Sequence, residues 1–251
     1  MPRTYRNFIY DDTRGFIFAY VPKVACTNWK SLLRYMAGYE DWLDNRLAHD
    51  KVTGGLRYLD LEGHDAALLH EPTIRKYTMV RNPYSRVLSA YLNKIESRLP
   101  PKPADEGDYW DRVVRDIDTF RREVLGDAAY PEISLDVFLR WLRDGRSPHA
   151  ADEHWAPQAL LLRQPGVAFD IIGRFENLPE DSARILDAMG CDQQFPSQED
   201  VKFAPTRAQS KVDRYFGPAT YALANEIFAQ DFAAYGYRKE GTLAAQEAST
   251  S

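Results

Sequence analysis

Only two cysteines, Cys26 and Cys191, occur in the 251 residues, so no disulfide framework is available. Long hydrophobic runs are missing too. The longest, Phe16 to Val21, is far short of the roughly 20 residues that cross a bilayer, and no membrane span is expected. Behind Arg3 and Arg6 the sequence is mixed, without the apolar core that a secretory signal needs. Positive charge is not in excess: 32 Lys and Arg face 37 Asp and Glu, a net −5. That balance excludes a general nucleic-acid or membrane-surface binder and leaves room for a local basic pocket. Internal repeats and coiled-coil heptads are absent. What is present, 44% hydrophobic and 27% charged residues, is the composition of a soluble globular protein. A chain of this length buries about three-quarters of its unfolded surface, enough for a core without cross-links. The expectation is a soluble, intracellular protein.

Proline and charge crowd residues 99–108, which read as an exposed loop, and residues 241–251 read as a disordered polar tail. Three apolar segments read as buried strands, each running into a helix. Phe16 to Val21 is aromatic and β-branched and stops at Pro22. Beyond it, Trp29, Leu32, Leu33 and Met36 recur on one helical face that ends near Gly38. Tyr77 to Val80 precedes a helix with Leu88, Tyr91, Leu92 and Ile95 on one side. Phe169 to Gly173 leads through Pro179 into a helix with Ile185, Leu186 and Met189, closed by Gly190. Further helices are expected from Ser134 to Gly145 and from Pro218 to Tyr235. Such alternation implies an α/β fold, a mostly parallel sheet covered by helices on both faces. Ligands of such sheets bind at the carboxyl ends of the strands. A single domain is expected over residues 1–240, with 96–150 as a helical and loop insertion on the acceptor side.

Two of the strand-to-helix loops carry unusual chemistry. In Pro22-Lys23-Val24-Ala25-Cys26-Thr27-Asn28-Trp29 a lysine follows a buried strand, and Thr27 and Asn28 stand at a helix start. Unpaired amides at a helix N-terminus, the helix dipole and the Lys23 charge together make an anion cradle. The plain alternative is a connection with Thr27 or Asn28 as N-cap and Lys23 in solvent. The pattern G-x-x-x-x-G-K-[ST] is absent, which weakens any ATP- or GTP-hydrolysing reading. In the second loop, Arg81 ends a buried strand, where a charge needs a partner. After Asn82-Pro83-Tyr84, Ser85 can open the helix, and Ser89 lies one turn further in, within reach of the same anion. Pairing of Arg81 with a carboxylate, and plain packing for Ser89, is the other reading.

Together, the stretches from Tyr20 to Lys30 and from Val80 to Tyr91 resemble the two nucleotide-binding signatures of the carbohydrate sulfotransferases, above all the group of chondroitin, dermatan and HNK-1 sulfotransferases. Glu153-His154-Trp155, the block from Phe169 to Asp181 and the ending Asp231 to Tyr237 are similar in the same order, so the resemblance runs from about residue 14 to 238. It implies a P-loop-like three-layer α/β fold with a central mostly parallel sheet. It also implies a donor, 3′-phosphoadenosine 5′-phosphosulfate (PAPS), whose sulfuryl group passes by in-line displacement to a hydroxyl of a carbohydrate or other small alcohol. The bisphosphate PAP is released, and no metal is required. Carried over, Lys23, Thr27 and Asn28 hold the 5′-phosphosulfate and Arg81 and Ser89 the 3′-phosphate, with Pro22, Ala25 and Cys26 among the residues binding the nucleotide donor. Trp29 resembles the family tryptophan near the adenine, although its helical spacing serves a core role equally. Arg207, in a segment with Thr206, Ser210 and Lys211, resembles a stretch near the nucleotide more loosely. Against the Golgi enzymes, the expectation is a chain without their anchor and stem, and the place of their cysteine pair reads Leu160 to Gly166. That implies a reducing, cytoplasmic setting.

Such a transfer needs an acceptor hydroxyl in line, a base for its proton and positive charge on the leaving oxygen. Lys23 is the natural stabiliser of the leaving group. For the base, His154 stands in the block that resembles the family's His-Trp segment. His70, His64 and a glutamate are the alternatives, while His49 and His149 read as solvated. Arg112, Arg115, Arg121, Arg122, Arg140 and Arg143 form either a wall of the acceptor cleft or a solvated helix face. No His, Cys and Asp grouping has zinc spacing. An ATP-dependent kinase and a non-catalytic PAP-binding module are the other function classes.

Overall fold

Short runs of aromatic and β-branched residues form four strands in the computed structural model, which describes residues 7–61, 63–202 and 204–241. They are β1 (Phe8–Asp11), β2 (Phe16–Ala19), β3 (Arg75–Val80) and β4 (Ile171–Arg174), one sheet in the order β1-β2-β3-β4. β2, β3 and β4 run parallel, with Ala19 opposite Thr78 and Val80 opposite Arg174. The mostly parallel sheet matches the expectation, and β1, antiparallel to β2, adds to it. The hairpin between them turns at residues 12–15, where Gly15 has φ +67° and the Asp11 carboxylate accepts from the Arg14 N–H at 2.8 Å. β4 begins later than Phe169, because the Asp170 carboxylate, rather than a strand carbonyl, accepts from the Lys76 N–H at 2.8 Å.

The helices are α1 (Cys26–Met36), α2 (Asn45–His49), α3 (Pro83–Lys94), α4 (Tyr109–Phe120), α5 (Leu135–Asp144), α6 (Gln158–Leu162), α7 (Leu178–Ala188), α8 (Val212–Tyr215), α9 (Pro218–Ile227) and α10 (Ala229–Tyr235). None of the described helices is long and apolar enough to cross a membrane. The chain forms two compact units, Met1–Arg81 with Leu160–Pro205, and Asn82–Ala159 with Thr206–Ser251. The first holds the whole sheet. There α1 buries Trp29, Leu32, Leu33 and Met36, the stripe its spacing predicts. α7 approaches β4 at Gly173, where an added Cβ would stand 3.0 Å from both Ile185 Cδ1 and Met79 Cε. Glycine permits that close packing.

The second unit is helical. α3 buries Leu88, Tyr91, Leu92 and Ile95 as expected. α5 is capped by Ser134, whose hydroxyl accepts from the Val137 N–H, and it ends at Gly145 with φ +66°. Within the expected insertion, α4 carries an inward stripe of Val113, Val114 and Ile117 and starts with a reciprocal capping box between Asp108 and Asp111. The single helix expected from Pro218 to Tyr235 is in fact two, broken at Phe228 (φ −104°, ψ 23°). The break has a polar reason. Asp231, with 0% exposure, turns its carboxylate onto the N–H groups of Gln158 and Ala159 at 2.9 and 2.8 Å. Of the expected tail, only Gly241 lies within the described residues.

Candidate functional site

Beyond β2 the chain turns sharply, closed by the Val24 N–H donating to the Val21 carbonyl at 3.2 Å. Two non-glycine residues of this turn are left-handed, Lys23 at φ +70° and Ala25 at φ +49°. Each costs about 1–3 kcal/mol of backbone strain. Alternating the backbone in this way curls successive N–H groups around one point, the geometry of an anion-binding nest. Ala25 is also the N-cap of α1 and offers no side-chain cap. The first-turn amides of Cys26, Thr27 and Asn28 therefore carry the positive end of the helix dipole without a capping side chain over them. Pro22 is buried, and Lys23 and Cys26 are half-buried.

The predicted ligand side chains of this loop divide. The Thr27 hydroxyl is hydrogen-bonded to His49 Nε2 at 2.9 Å, so His49 is a partner of the loop although its exposure agrees with the solvated reading. Asn28 does not present its side chain to the cradle. Its Nδ2 donates to the carbonyls of Pro196 (2.9 Å) and Ser197 (3.3 Å), leaving the backbone amide as its contribution. Trp29 takes the core role. It is 1% exposed and packed between Phe18 and Phe195, at ring-centroid distances of 4.5 and 4.8 Å, with no face open to a purine.

Arg81, 4% exposed at the end of β3, donates from Nη1 to the carbonyl of Lys23 at 2.9 Å, and its guanidinium lies 4.3 Å from the Phe175 ring centroid. The two loops, read separately in the sequence, are thus joined through the strained lysine itself. Asn82, not Ser85, caps α3. Its side chain accepts from the N–H groups of Tyr84 (3.0 Å) and Ser85 (3.5 Å), while the Ser85 hydroxyl turns back to the Asn82 carbonyl. In the second unit Ser89 is buried and lies 3.0 Å from the Thr206 hydroxyl. That bond brings the loosely matching segment to α3. Arg207 follows, exposed and left-handed at φ +50°.

His154 lies in the second unit with Nδ1 2.7 Å from Asp152 Oδ1. Its ring meets Trp110 edge-on, 4.9 Å between centroids and 88° between planes. Burial holds its pKa below the ordinary histidine value, although the Asp152 carboxylate works in the opposite sense and Lys94 adds to the lowering. The Asp152 pKa lies below the usual carboxylate value. Burial is the largest influence and raises it, but hydrogen bonds and charge from His154 together outweigh that. Arg86, 1% exposed, donates to the carbonyls of Glu153 (3.0 Å) and Ala156 (2.8 Å), bracketing this turn from α3. Of the other candidates, His70 is exposed in the first unit, and the His64 side chain lies outside the described residues.

The arginines read as either a cleft wall or a solvated helix face are mostly engaged in ion pairs. Arg121, Arg122, Arg140 and Arg143 pair with Asp118, Asp127, Asp136 and Glu226. Arg115 donates to the Lys102 carbonyl. Among the described residues Arg112 meets no carboxylate and lies over Tyr109, 6.0 Å from its ring centroid. No group of three or more His, Cys, Asp or Glu placed to hold a metal occurs among the described residues.

The model of the Sulfotransferase family matches residues 6–238, a span that includes every one of these residues. The chain belongs to the sulfotransferase family. Over 240 residues it is 28% identical to carbohydrate sulfotransferase 14 of Homo sapiens, covering 92% of this chain and 60% of that one. Carbohydrate sulfotransferase 14 of Mus musculus is 31% identical over 185 residues, 72% of this chain and 46% of its own. Carbohydrate sulfotransferase 12 of Mus musculus is 28% identical over 266 residues, 94% and 61% respectively. The chain thus spans less than two-thirds of the length of these relatives. No solved structure matches it.

Sequence reasoning missed Asp152, Tyr109, Arg86 and His49. For Asp152 a signal existed in Asp-Glu-His, where an aspartate two residues ahead can bond the histidine N–H, as it does at 3.0 Å. Arg86 was hidden because it donates to the carbonyls of Glu153 and Ala156, acceptors that no residue type marks.

Proposed function

We propose that this sulfotransferase-family chain moves a sulfuryl group from PAPS to a hydroxyl of a carbohydrate or related small alcohol, releasing PAP. The observation that carries the reading is the loop of Lys23 and Ala25, two left-handed residues ahead of a helix without a side-chain cap, tied to Arg81 through the Lys23 carbonyl. Such a cradle fits a multiply charged phosphosulfate end. PAPS, when bound, supplies an activated sulfuryl group on a good leaving phosphate. In the first unit, the amides from Ala25 to Asn28 and the Thr27 hydroxyl bind that end, and Lys23 neutralises charge gathering on the leaving oxygen. Arg81 is assigned to the 3′-phosphate. In the second unit, Ser89, bonded to Thr206, has the same assignment, Arg207 next in sequence is assigned to the nucleotide, and His154 takes the acceptor's proton.

The carbohydrate acceptor comes from the names of the relatives. A cytoplasmic setting belongs to the same proposal and is supported by two cysteines that are both free thiols. Melting curves test the nucleotide. PAP at micromolar concentration should raise the melting temperature, while adenosine 5′-phosphosulfate and ATP should do much less, since neither carries a 3′-phosphate. Equal stabilisation by ATP and PAP would overturn the reading and favour a kinase. A radiolabelled-PAPS screen of glycans and small alcohols then identifies the acceptor.

A further inference from the structure

The Asp152 carboxylate is held at both oxygens. Oδ1 receives the His154 backbone N–H at 3.0 Å and stands 2.7 Å from His154 Nδ1. Oδ2 accepts from the Tyr109 hydroxyl at 3.0 Å. The first contact alone would make an ordinary aspartate turn. A second donor from α4, 43 residues away, is more than a turn requires. Tyr109 is itself fixed, as the first residue of the helix that the Asp108–Asp111 box caps. An ionised carboxylate can only accept hydrogen bonds, so a ring nitrogen at 2.7 Å from it must carry hydrogen. His154 Nε2 makes no hydrogen bond among the described residues. The ring cannot swing freely, having Trp110 edge-on at 4.9 Å and Trp155 at 6.4 Å.

We propose that Asp152, braced by Tyr109, is the positioning residue that keeps the His154 proton on Nδ1 and presents Nε2 as the proton acceptor. The assignment rests on the reading of His154 as the base. In the step it serves, the acceptor O–H proton passes to Nε2 while the oxygen's electron pair forms the new bond to sulfur. The bond from sulfur to the 5′-phosphate oxygen breaks, and its pair leaves with the phosphate. The ring then carries a positive charge facing Asp152, which lowers the cost of forming it. Lys94 from α3 and Glu153 from the turn itself also act on His154, in opposite senses. His149 reaches the same group more remotely, its Nδ1 3.4 Å from the Tyr109 hydroxyl.

Nitrogen-15 NMR of the full chain reads the tautomer directly, with His154→Gln used only to assign the signals. The wild type should show His154 protonated at Nδ1 and bare at Nε2. Asp152→Asn should abolish that preference, leave PAP affinity unchanged and lower kcat by about 10² to 10⁴, the range of a positioned base. Its acid limb should move to lower pH, because the anion that opposed the lowered histidine pKa is gone. Tyr109→Phe should keep the tautomer and lower kcat about tenfold, the scale of one hydrogen bond to a charged group. A wild-type His154 protonated at Nε2, or Asp152→Asn with tautomer and kcat both intact, overturns the proposal. Loss of the tautomer with kcat intact removes His154 as the base and leaves the hold of Asp152 on the ring standing. Should Asp152→Asn not fold, Tyr109→Phe decides: a shifted His154 titration sustains the brace, and an unmoved one overturns it.

Discussion

Arg86 joins α3 to the turn that carries His154, and replacing it by methionine isolates what that contact contributes. Methionine keeps the apolar stem of the side chain and removes the guanidinium with its charge. Two hydrogen bonds disappear, to Ala156 at 2.8 Å and Glu153 at 3.0 Å. Leaving a buried carbonyl without its donor costs about 1–3 kcal/mol, and the Asp231 charge loses the nearby field that favoured it. The sign of the pH dependence follows from Asp231. Burial, the largest influence, raises its pKa above the usual carboxylate value, and loss of Arg86 raises it further. The folded state then binds more protons than the unfolded one. The variant's deficit should therefore be smallest in acid and grow as pH rises through the folded-state pKa. Urea unfolding from pH 4 to 8 measures it, with Arg86→Met/Asp231→Asn closing a double-mutant cycle that should recover part of the loss. A deficit under about 1 kcal/mol at pH 7, or no recovery in the double variant, would refute the reasoning.

Arg81→Ala should weaken PAP binding by about 1.5–3 kcal/mol, and an unchanged dissociation constant by calorimetry in a folded protein removes that role. Ala25→Gly should relieve the left-handed conformation at φ +49° and raise stability by about 1 kcal/mol; a lowered unfolding midpoint would count against strain there. Asn28→Ala should destabilise by about 1–3 kcal/mol, because the Pro196 carbonyl is left without its donor. A loss confined to nucleotide affinity would instead return Asn28 to the cradle. Turnover, once an acceptor is in hand, should survive EDTA, and metal-reversible loss would favour the kinase reading.

Much of the fold was legible because periodicity reports burial. The stripes of α1, α3, α5 and α7 have few alternative explanations, and Gly145 and Gly190 mark their ends through left-handed backbone. What stayed hidden depended on partners distant in sequence. Phe228 reads as mid-helix until Asp231 is seen bonding Gln158 and Ala159. Asn28 looks like a ligand until the carbonyls of Pro196 and Ser197 appear beside it. Trp29 sat undecided between two roles, since a helical stripe says that a residue is buried and not what buries it. The cradle was readable as a residue pattern. Its strain, and its tie to Arg81, were not, because neither φ nor a carbonyl acceptor has a residue type.

The edge-on contact of Trp110 with His154 also makes an optical instrument of the second unit. A protonated imidazole quenches indole emission by accepting an electron from the excited ring, and a neutral one does so far less. Trp110 lies 4.9 Å from His154, centroid to centroid, and also has the Lys94 ammonium 4.3 Å from its ring centroid. Its brightness should consequently follow the charge on His154. Intrinsic fluorescence could then follow the protonation of this group in the unlabelled protein, with no acceptor identified and no turnover required.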